Sequence, residues 1–120
     1  MPLVFSAKRL GLIVWRYDDG SLACTGRYNG IDVVDAVPID DGARCVLLLD
    51  PDGGHRLVFE NLLCVDPDGA VVWAAKLPSM PDKFVAMRLT DDGICANTWS
   101  CYLILLDPDT GAELSITFTK

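Results

Sequence analysis

The stretch Leu105–Leu114 reads LLDPDTGAEL, in which two short apolar segments are joined by a turn of Asp, Pro, Thr and Gly. Asp and Asn side chains accept hydrogen bonds from the nearby main chain, and Gly tolerates a positive φ, so this pattern predicts a tight hairpin. A related DPDG turn begins at Asp66, and Asp-Gly or Asn-Gly pairs recur at 19–20, 29–30, 41–42, 52–53 and 92–93. The chain therefore reads as a series of β-hairpins.

The segments between these turns have strand length and are rich in Val, Ile, Leu and aromatic residues. The last segment alternates, with Leu114, Ile116 and Phe118 on one face and polar residues on the other, which predicts one solvated face. Val46–Leu49 and Leu103–Leu106 are apolar on both faces and are predicted to be central, covered strands. The predicted strands span 3–8, 12–17, 21–27, 31–38, 44–50, 56–65, 70–77, 84–90, 94–100, 101–107 and 112–119.

The hairpins also form an internal repeat. VPIDDGARC at 37–45 is similar to MRLTDDGIC at 87–95, and the Asp-Pro-Asp turns at Asp66 and Asp107 lie 41 residues apart. This spacing is typical of propeller-type repeats. Within a single domain, we expect a partial blade at 1–30, a blade at 31–77 and a blade at 84–120, with the proline-containing stretch 77–83 as the connection.

These hairpins resemble the outer hairpins of quinoprotein-like and WD-like β-propeller blades over most of the chain. The tryptophan that such blades carry after the turn is present at Trp73, whereas Ser115 and Cys24 stand at the matching positions. The resemblance implies an all-β fold of antiparallel four-stranded blades, arranged as a short propeller-like stack or a β-sandwich. About two and a half blades are fewer than a closed ring needs, so no cofactor of the family carries over.

The composition excludes several classes of function. The net charge of −7 and the scattered Lys and Arg residues argue against nucleic-acid binding, and the apolar runs are too short for a membrane helix. The N-terminus has its charges after a short apolar run, the wrong order for a secretory signal, so a cytoplasmic location is expected. Five cysteines without a C-x-x-C pair and a single histidine predict reduced, buried thiols and no metal site.

The acidic residues do not form a recognisable catalytic or calcium-binding motif. Most of the aspartates lie in turns, where they have a main-chain role, and no loop has the register of a calcium site. Glu60 and Asp35 are the acids predicted within strands, and His55 lies in a Gly-rich insertion. A hydrolase that uses Glu60 or His55 is therefore the least favoured function, and no cofactor or metal is expected.

The remaining features favour a non-catalytic protein-interaction domain. An acidic surface suits a basic protein partner, and a bacterial toxin-neutralising (immunity) protein would have these properties. The alternative is a sugar- or small-ligand-binding β-domain, which needs exposed tryptophans that line a concavity. Self-association through the blade end faces is also expected, because a short stack leaves those faces uncovered. The candidate partner contacts are Asp52, His55, Trp73, Met80 and Trp99.

Overall fold

A computed structural model describes residues 3–7, 11–16, 22–28, 30–53, 58–78 and 82–119. The regular structure in these residues is almost entirely β, which confirms the predicted class. One 3₁₀ turn, Asp40–Gly42, follows β5. The strands are β1 (Leu3–Ala7), β2 (Leu12–Arg16), β3 (Leu22–Thr25), β4 (Arg27–Tyr28), β5 (Ile31–Ile39), β6 (Arg44–Leu49), β7 (Val58–Phe59), β8 (Leu62–Val65), β9 (Val71–Ala74), β10 (Asp82–Thr90), β11 (Gly93–Thr98), β12 (Tyr102–Leu106) and β13 (Glu113–Phe118).

The described strands form three sheets. The leading sheet has the order β1-β2-β3, the second has β4-β5-β6-β8-β9, and the third has β13-β12-β11-β10-β7. We name β5, β6, β8 and β9 the first blade and β10–β13 the second blade, because within each five-stranded sheet these four strands are antiparallel neighbours. The two sheets have the blade-like form that the repeat predicts.

One predicted strand is wrong. The run at 56–65 does not form a single strand, because Glu60 and Asn61 lie between the short β7 and β8. β7 leaves the first blade and pairs in parallel with β10, where Val58 lies opposite Asp82. The break has a physical cause, since the Asn61 side chain is bound to the main chain of both blades.

The first blade lies between the leading sheet and the second blade. One face packs against Phe5, Ala7, Leu12 and Val14 of the leading sheet, and the other packs against the second blade around Phe84. Burial on both sides explains why the strand β6 is apolar throughout, and it confirms the prediction that Val46–Leu49 is a covered central strand.

The same prediction for Leu103–Leu106 is only half correct. Ile104 and Leu106 are 1% exposed and face the first blade, whereas Leu103 and Leu105 are half-buried on the opposite face. No sheet among the described residues covers that opposite face. The second blade is therefore packed on one side only.

The three Asp-Pro-Asp turns use the same hydrogen bond. In each, Oδ1 of the first Asp accepts from the backbone N–H two residues later, at 2.9 Å for Asp50 and Asp66 and at 2.8 Å for Asp107. The carboxylate thus adds a side-chain bond to a turn that the backbone carbonyl of the same Asp also closes, since that carbonyl accepts from the N–H of Gly53, Gly69 or Gly111. Much of the acidic charge in these turns is structural.

The cysteine side chains that the structure describes are all thiols. Cys45 and Cys64 are buried, while Cys95 and Cys101 are half-exposed. Burial raises the pKa of Cys64 to about 11. In the described ranges, no helix has the length and apolar character that crossing a membrane requires.

Candidate interaction site

The turn between β11 and β12 displays Trp99 to solvent, with 70% of the residue exposed. Its main chain is held on two sides. The N–H of Cys101 donates to the carbonyl of Thr98 at 3.1 Å, and the N–H of Trp99 donates to the carbonyl of Lys83 at 2.9 Å. Cys101 has a φ of 72°, in the left-handed region that closes such turns. The indole is therefore presented from a fixed turn.

A buried carboxylate supports this turn from below. Asp82 is only 5% exposed, and its Oδ1 accepts from the N–H of Lys83 at 2.9 Å and from the N–H of Ser100 at 3.1 Å. Its Oδ2 is also buried, and no hydrogen-bond donor of the described chain reaches it. Asp82 ties the turn to the start of β10, which makes the position of Trp99 less variable.

Three side chains meet at this point, and we name Asp52, Lys83 and Trp99 the Trp99 corner. The Lys83 Nζ lies 5.3 Å from the centroid of the Trp99 ring and 3.0 Å from Oδ1 of Asp52. A cation over an indole face is attracted by the ring quadrupole. Two of the predicted contact residues, Asp52 and Trp99, are thus brought together, and the link between them is Lys83, which was not predicted.

The other predicted contacts do not join this corner. Trp73 is buried, at 7% exposure; its Nε1–H donates to the carbonyl of Pro108 at 2.9 Å, and its ring packs against Gly111. The Trp73 side chain is therefore part of the packing between the two blades and is not exposed to a partner. His55 and Met80 lie outside the described residues.

The two candidate acids differ in their surroundings. Glu60 is exposed, whereas Asp35 is half-buried and its Oδ1 accepts from the N–H of Ala36 at 2.9 Å. Burial raises the pKa of Asp35. Within the described ranges, no group of three His, Cys, Asp or Glu residues is positioned to hold a metal ion.

A second surface lies on β13, at the outer edge of the second blade. Leu114, Ile116 and Phe118 are 54%, 40% and 57% exposed, although Ile116 pairs with the buried Ile104. The Phe118 ring lies 5.4 Å from that of Tyr102. The alternation that was expected is present, but the apolar face, like the polar one, is open to solvent.

The end face of the second blade differs from the matching face of the first. The pairing of the strands shows which residues of the two blades are equivalent. Leu48 pairs with Leu62 in the first blade, as Asn97 pairs with Leu103 in the second. At three positions where the first blade packs an apolar side chain against the core, the second has a polar one: Arg88 for Val37, Asn97 for Leu48 and Ser115 for Trp73. The outer face of the second blade is therefore mixed, since Leu103 and Leu105 lie among these polar residues.

A groove of about 300 Å³ runs between the blades beside the β12–β13 turn. Its lining includes Ala74, Leu77, Pro78 and Gly111, with Lys76 and Glu113 as the charged members. No aromatic side chain of the described residues lines it. It lacks the tryptophans that the sugar-binding alternative requires.

Comparison with known proteins places the fold and leaves the function open. A family model described as "Domain of unknown function (DUF7957)" matches residues 30–118. No curated protein matches the chain. Among solved structures, it is similar to the crystal structure of BamB from Moraxella catarrhalis, a β-propeller protein, with a TM-score of 0.53 and 19% sequence identity. The match covers 98% of this chain but 32% of the BamB chain, so the chain spans about a third of that protein's length.

Proposed function

Since the chain belongs to the DUF7957 family, whose description assigns no activity, we propose from its surface that it is a non-catalytic protein-interaction domain. The observation that carries the proposal is the exposure of Trp99, 70% of which faces solvent from a turn fixed by Asp82 and Lys83. Tryptophan is among the residues that dominate binding hot spots. A rigid turn lowers the entropy lost when such a side chain is immobilised in an interface.

Charge defines the class of partner. The chain has a net charge of −7, and the Asp52 side chain at the corner is 85% exposed. A Lys or Arg of a basic protein could take the place of Lys83 over the indole and bind Asp52 at the same time. The long-range field of an acidic protein speeds the encounter with such a partner and disfavours acidic ones. A toxin-neutralising protein that binds a basic bacterial toxin is one form of this function.

Comparative capture tests the proposal. The tagged wild-type chain, Trp99→Ala and Leu89→Ala are used to retain proteins from lysate at low and at high salt, and the retained proteins are identified by mass spectrometry. Leu89 is the matched control because it is 49% exposed and lies at the opposite end of β10. We expect a basic protein that wild type and Leu89→Ala retain at low salt, and that Trp99→Ala binds at least about tenfold more weakly. If Trp99→Ala retains the same proteins as wild type, or if no basic protein is captured, the proposal fails.

The alternative functions have less support. Binding of a sugar would use several exposed aromatic rings around a concavity, but Trp73 is buried and the groove between the blades has no aromatic lining among the described residues. A hydrolase would need a second functional group beside Glu60, which is exposed, and no observation on the described residues points to such a partner. We therefore favour a protein partner.

A further inference from the structure

We propose that the open edge of β13 pairs with β13 of a second copy of this chain, antiparallel and centred on Ile116. The inference is independent of the Trp99 corner. β13 pairs with β12 on one side, and no strand of the described chain pairs with its other side. Its sequence, ELSITF, contains no Pro or Lys, and its bulge is confined to Leu114 at the start of the strand, so Ser115–Phe118 is a regular open edge. An edge of this kind is a template for the addition of another strand.

The direction of the main chain fixes which residues would pair. The N–H of Thr119 donates to the carbonyl of Cys101 at 2.8 Å, so the main chain of Thr119 faces β12. Main-chain groups alternate between the two sides of a strand, so those of Phe118 and Ile116 point to the open edge. In a pairing centred on Ile116, the two copies of this residue lie opposite each other and exchange both main-chain hydrogen bonds.

The side chains of β13 are symmetric about the same residue. Leu114, Ile116 and Phe118 are apolar, and the residues between them, Ser115 and Thr117, are hydroxylic. The pairing therefore places Ser115 opposite the partner's Thr117 within the regular part of the strand. Leu114, the extra residue of a bulge that β13 forms against β12, meets the partner's Phe118 at the end of the ladder. A shift by one residue would place apolar side chains opposite polar ones. A shift by two residues keeps apolar opposite apolar but forms only two such pairs, whereas the pairing centred on Ile116 forms three.

The one ionised side chain of the strand also fits. Glu113 lies beyond the Leu114 bulge, so the two Glu113 carboxylates are at opposite ends of the new pair. Like charges directly opposite each other would have been destabilising. The strand thus accepts its own copy without a charge clash.

The new pair continues an interface that already exists. Ile116 pairs with Ile104, which is part of the core between the blades, and Phe118 contacts Tyr102 at the border of that core. A second copy would join the two second blades, edge to edge, into one continuous sheet. The side chains of Leu114, Ile116 and Phe118 would then have those of the partner's β13 beside them. Because the same patch is used on both copies, the contact closes as a two-fold dimer.

Sedimentation equilibrium of the full 120-residue chain tests the proposal. We expect a monomer–dimer equilibrium that tightens as salt is raised, because two chains of charge −7 repel each other and salt screens the repulsion. Ile116→Lys places two ammonium groups opposite each other and should raise the dissociation constant more than about 100-fold. Val72→Lys is the matched control, since Val72 is 44% exposed on β9, the edge strand of the first blade, and it should change the constant less than about threefold.

Cross-linking tests the register without relying on a loss of association. In a background with Cys24, Cys95 and Cys101 replaced by Ser, Ile116→Cys should form a covalent dimer under mild oxidation. Residues that exchange both hydrogen bonds have Cα atoms about 5.5 Å apart, within the range of a disulfide. Thr117→Cys is the register control and should cross-link at least about tenfold less, because it faces the partner's Ser115. A strictly monomeric wild type, or equal cross-linking of the two variants, would overturn the proposal. Dimerisation that Val72→Lys abolishes and Ile116→Lys does not would assign the contact to β9 instead.

Discussion

Asn61 binds the main chain of Phe84 with both ends of its amide, accepting from the Phe84 N–H at 2.8 Å and donating to the Phe84 carbonyl at 2.7 Å. The same Nδ2 group donates to the carbonyl of Leu49 at 2.9 Å. Asn61 is fully buried, so water does not compete for these groups. One side chain in the first blade thus reproduces, across the gap between sheets, the pair of hydrogen bonds that a neighbouring strand would make.

Asn61→Ala should destabilise the chain by about 3 kcal/mol, because it leaves buried main-chain groups of Phe84 and Leu49 without this partner. Asn97→Ala is the matched control; Asn97 is half-exposed on β11, and its loss should cost less than about 1 kcal/mol. Urea denaturation followed by circular dichroism measures both. Equal losses for the two variants would show that the Asn61 amide does not hold the blades together.

Gly111→Ala should cost about 3 kcal/mol. Gly111 has a φ of +73°, and an added Cβ would lie 2.5 Å from Cε3 of Trp73, so both backbone strain and overpacking contribute. Gly30→Ala separates the two effects, because Gly30 has a φ of +79° but an added Cβ there meets no described atom within 4 Å. It should cost only about 1 kcal/mol in the same urea titration. If Gly30→Ala were as costly as Gly111→Ala, the contact with Trp73 would be irrelevant to stability.

Asp35 should make the chain less stable as the pH rises. Burial raises the pKa of Asp35 in the folded chain above the ordinary value of 3.8. Between pH 3.8 and the pKa of the folded state, the folded chain therefore binds more protons than the unfolded one. The free energy of unfolding therefore decreases as the pH rises through the folded-state pKa of Asp35. Asp35→Asn cannot ionise and keeps an oxygen for the N–H of Ala36.

The variant should accordingly gain stability relative to wild type at pH 7 and gain less at pH 3.5, as measured by urea denaturation at each pH. The stability difference between the variant and wild type at pH 3.5 is the control for the difference at pH 7. A stability difference that is the same at both pH values would contradict the assigned role of burial.

Cys64 should be inert toward thiol reagents in the folded chain. With a pKa of about 11, only about one thousandth of this thiol is ionised at pH 8, and the side chain is also buried. Cys95 and Cys101, which are half-exposed, serve as internal references and should react first. Labelling of a Cys24→Ser variant, with the modified sites identified by mass spectrometry, checks this order. Labelling of Cys64 at the same rate as Cys95 would contradict it.

The sequence predicts local features of this fold well because they depend on local chemistry. β13, Glu113–Phe118, lies within the predicted strand 112–119, since a period-2 pattern and an Asp-Pro-Asp turn are both local signals. Asp66 and Asp107 close their turns as their residue type predicts. The four-stranded pattern then follows, because short turns between strands favour antiparallel neighbours.

The remaining features depend on contacts between distant residues. The run at 56–65 reads as one strand because Asn61 is a single polar residue among apolar ones, and its hydrogen bonds are to Phe84, 23 residues away. The Trp99 corner also depends on contacts between residues that are distant in the sequence. Lys83 meets Asp52 at a distance of 31 residues, through the parallel pairing of β7 with β10. A parallel pair between two-residue segments leaves no periodic pattern by which it could be recognised.

Two polar side chains on the outer face of the second blade, Arg88 and Asn97, have a consequence for how such a chain could lengthen. A gene duplication that copied the second blade in tandem would place a new sheet on Arg88 and Asn97, which stand where the first blade has Val37 and Leu48. The guanidinium and the amide would then lose water without a designed partner, at a cost of several kcal/mol. Apolar residues at these two positions would remove that cost. Arg88 and Asn97 are therefore the positions at which related chains with more blades should first differ.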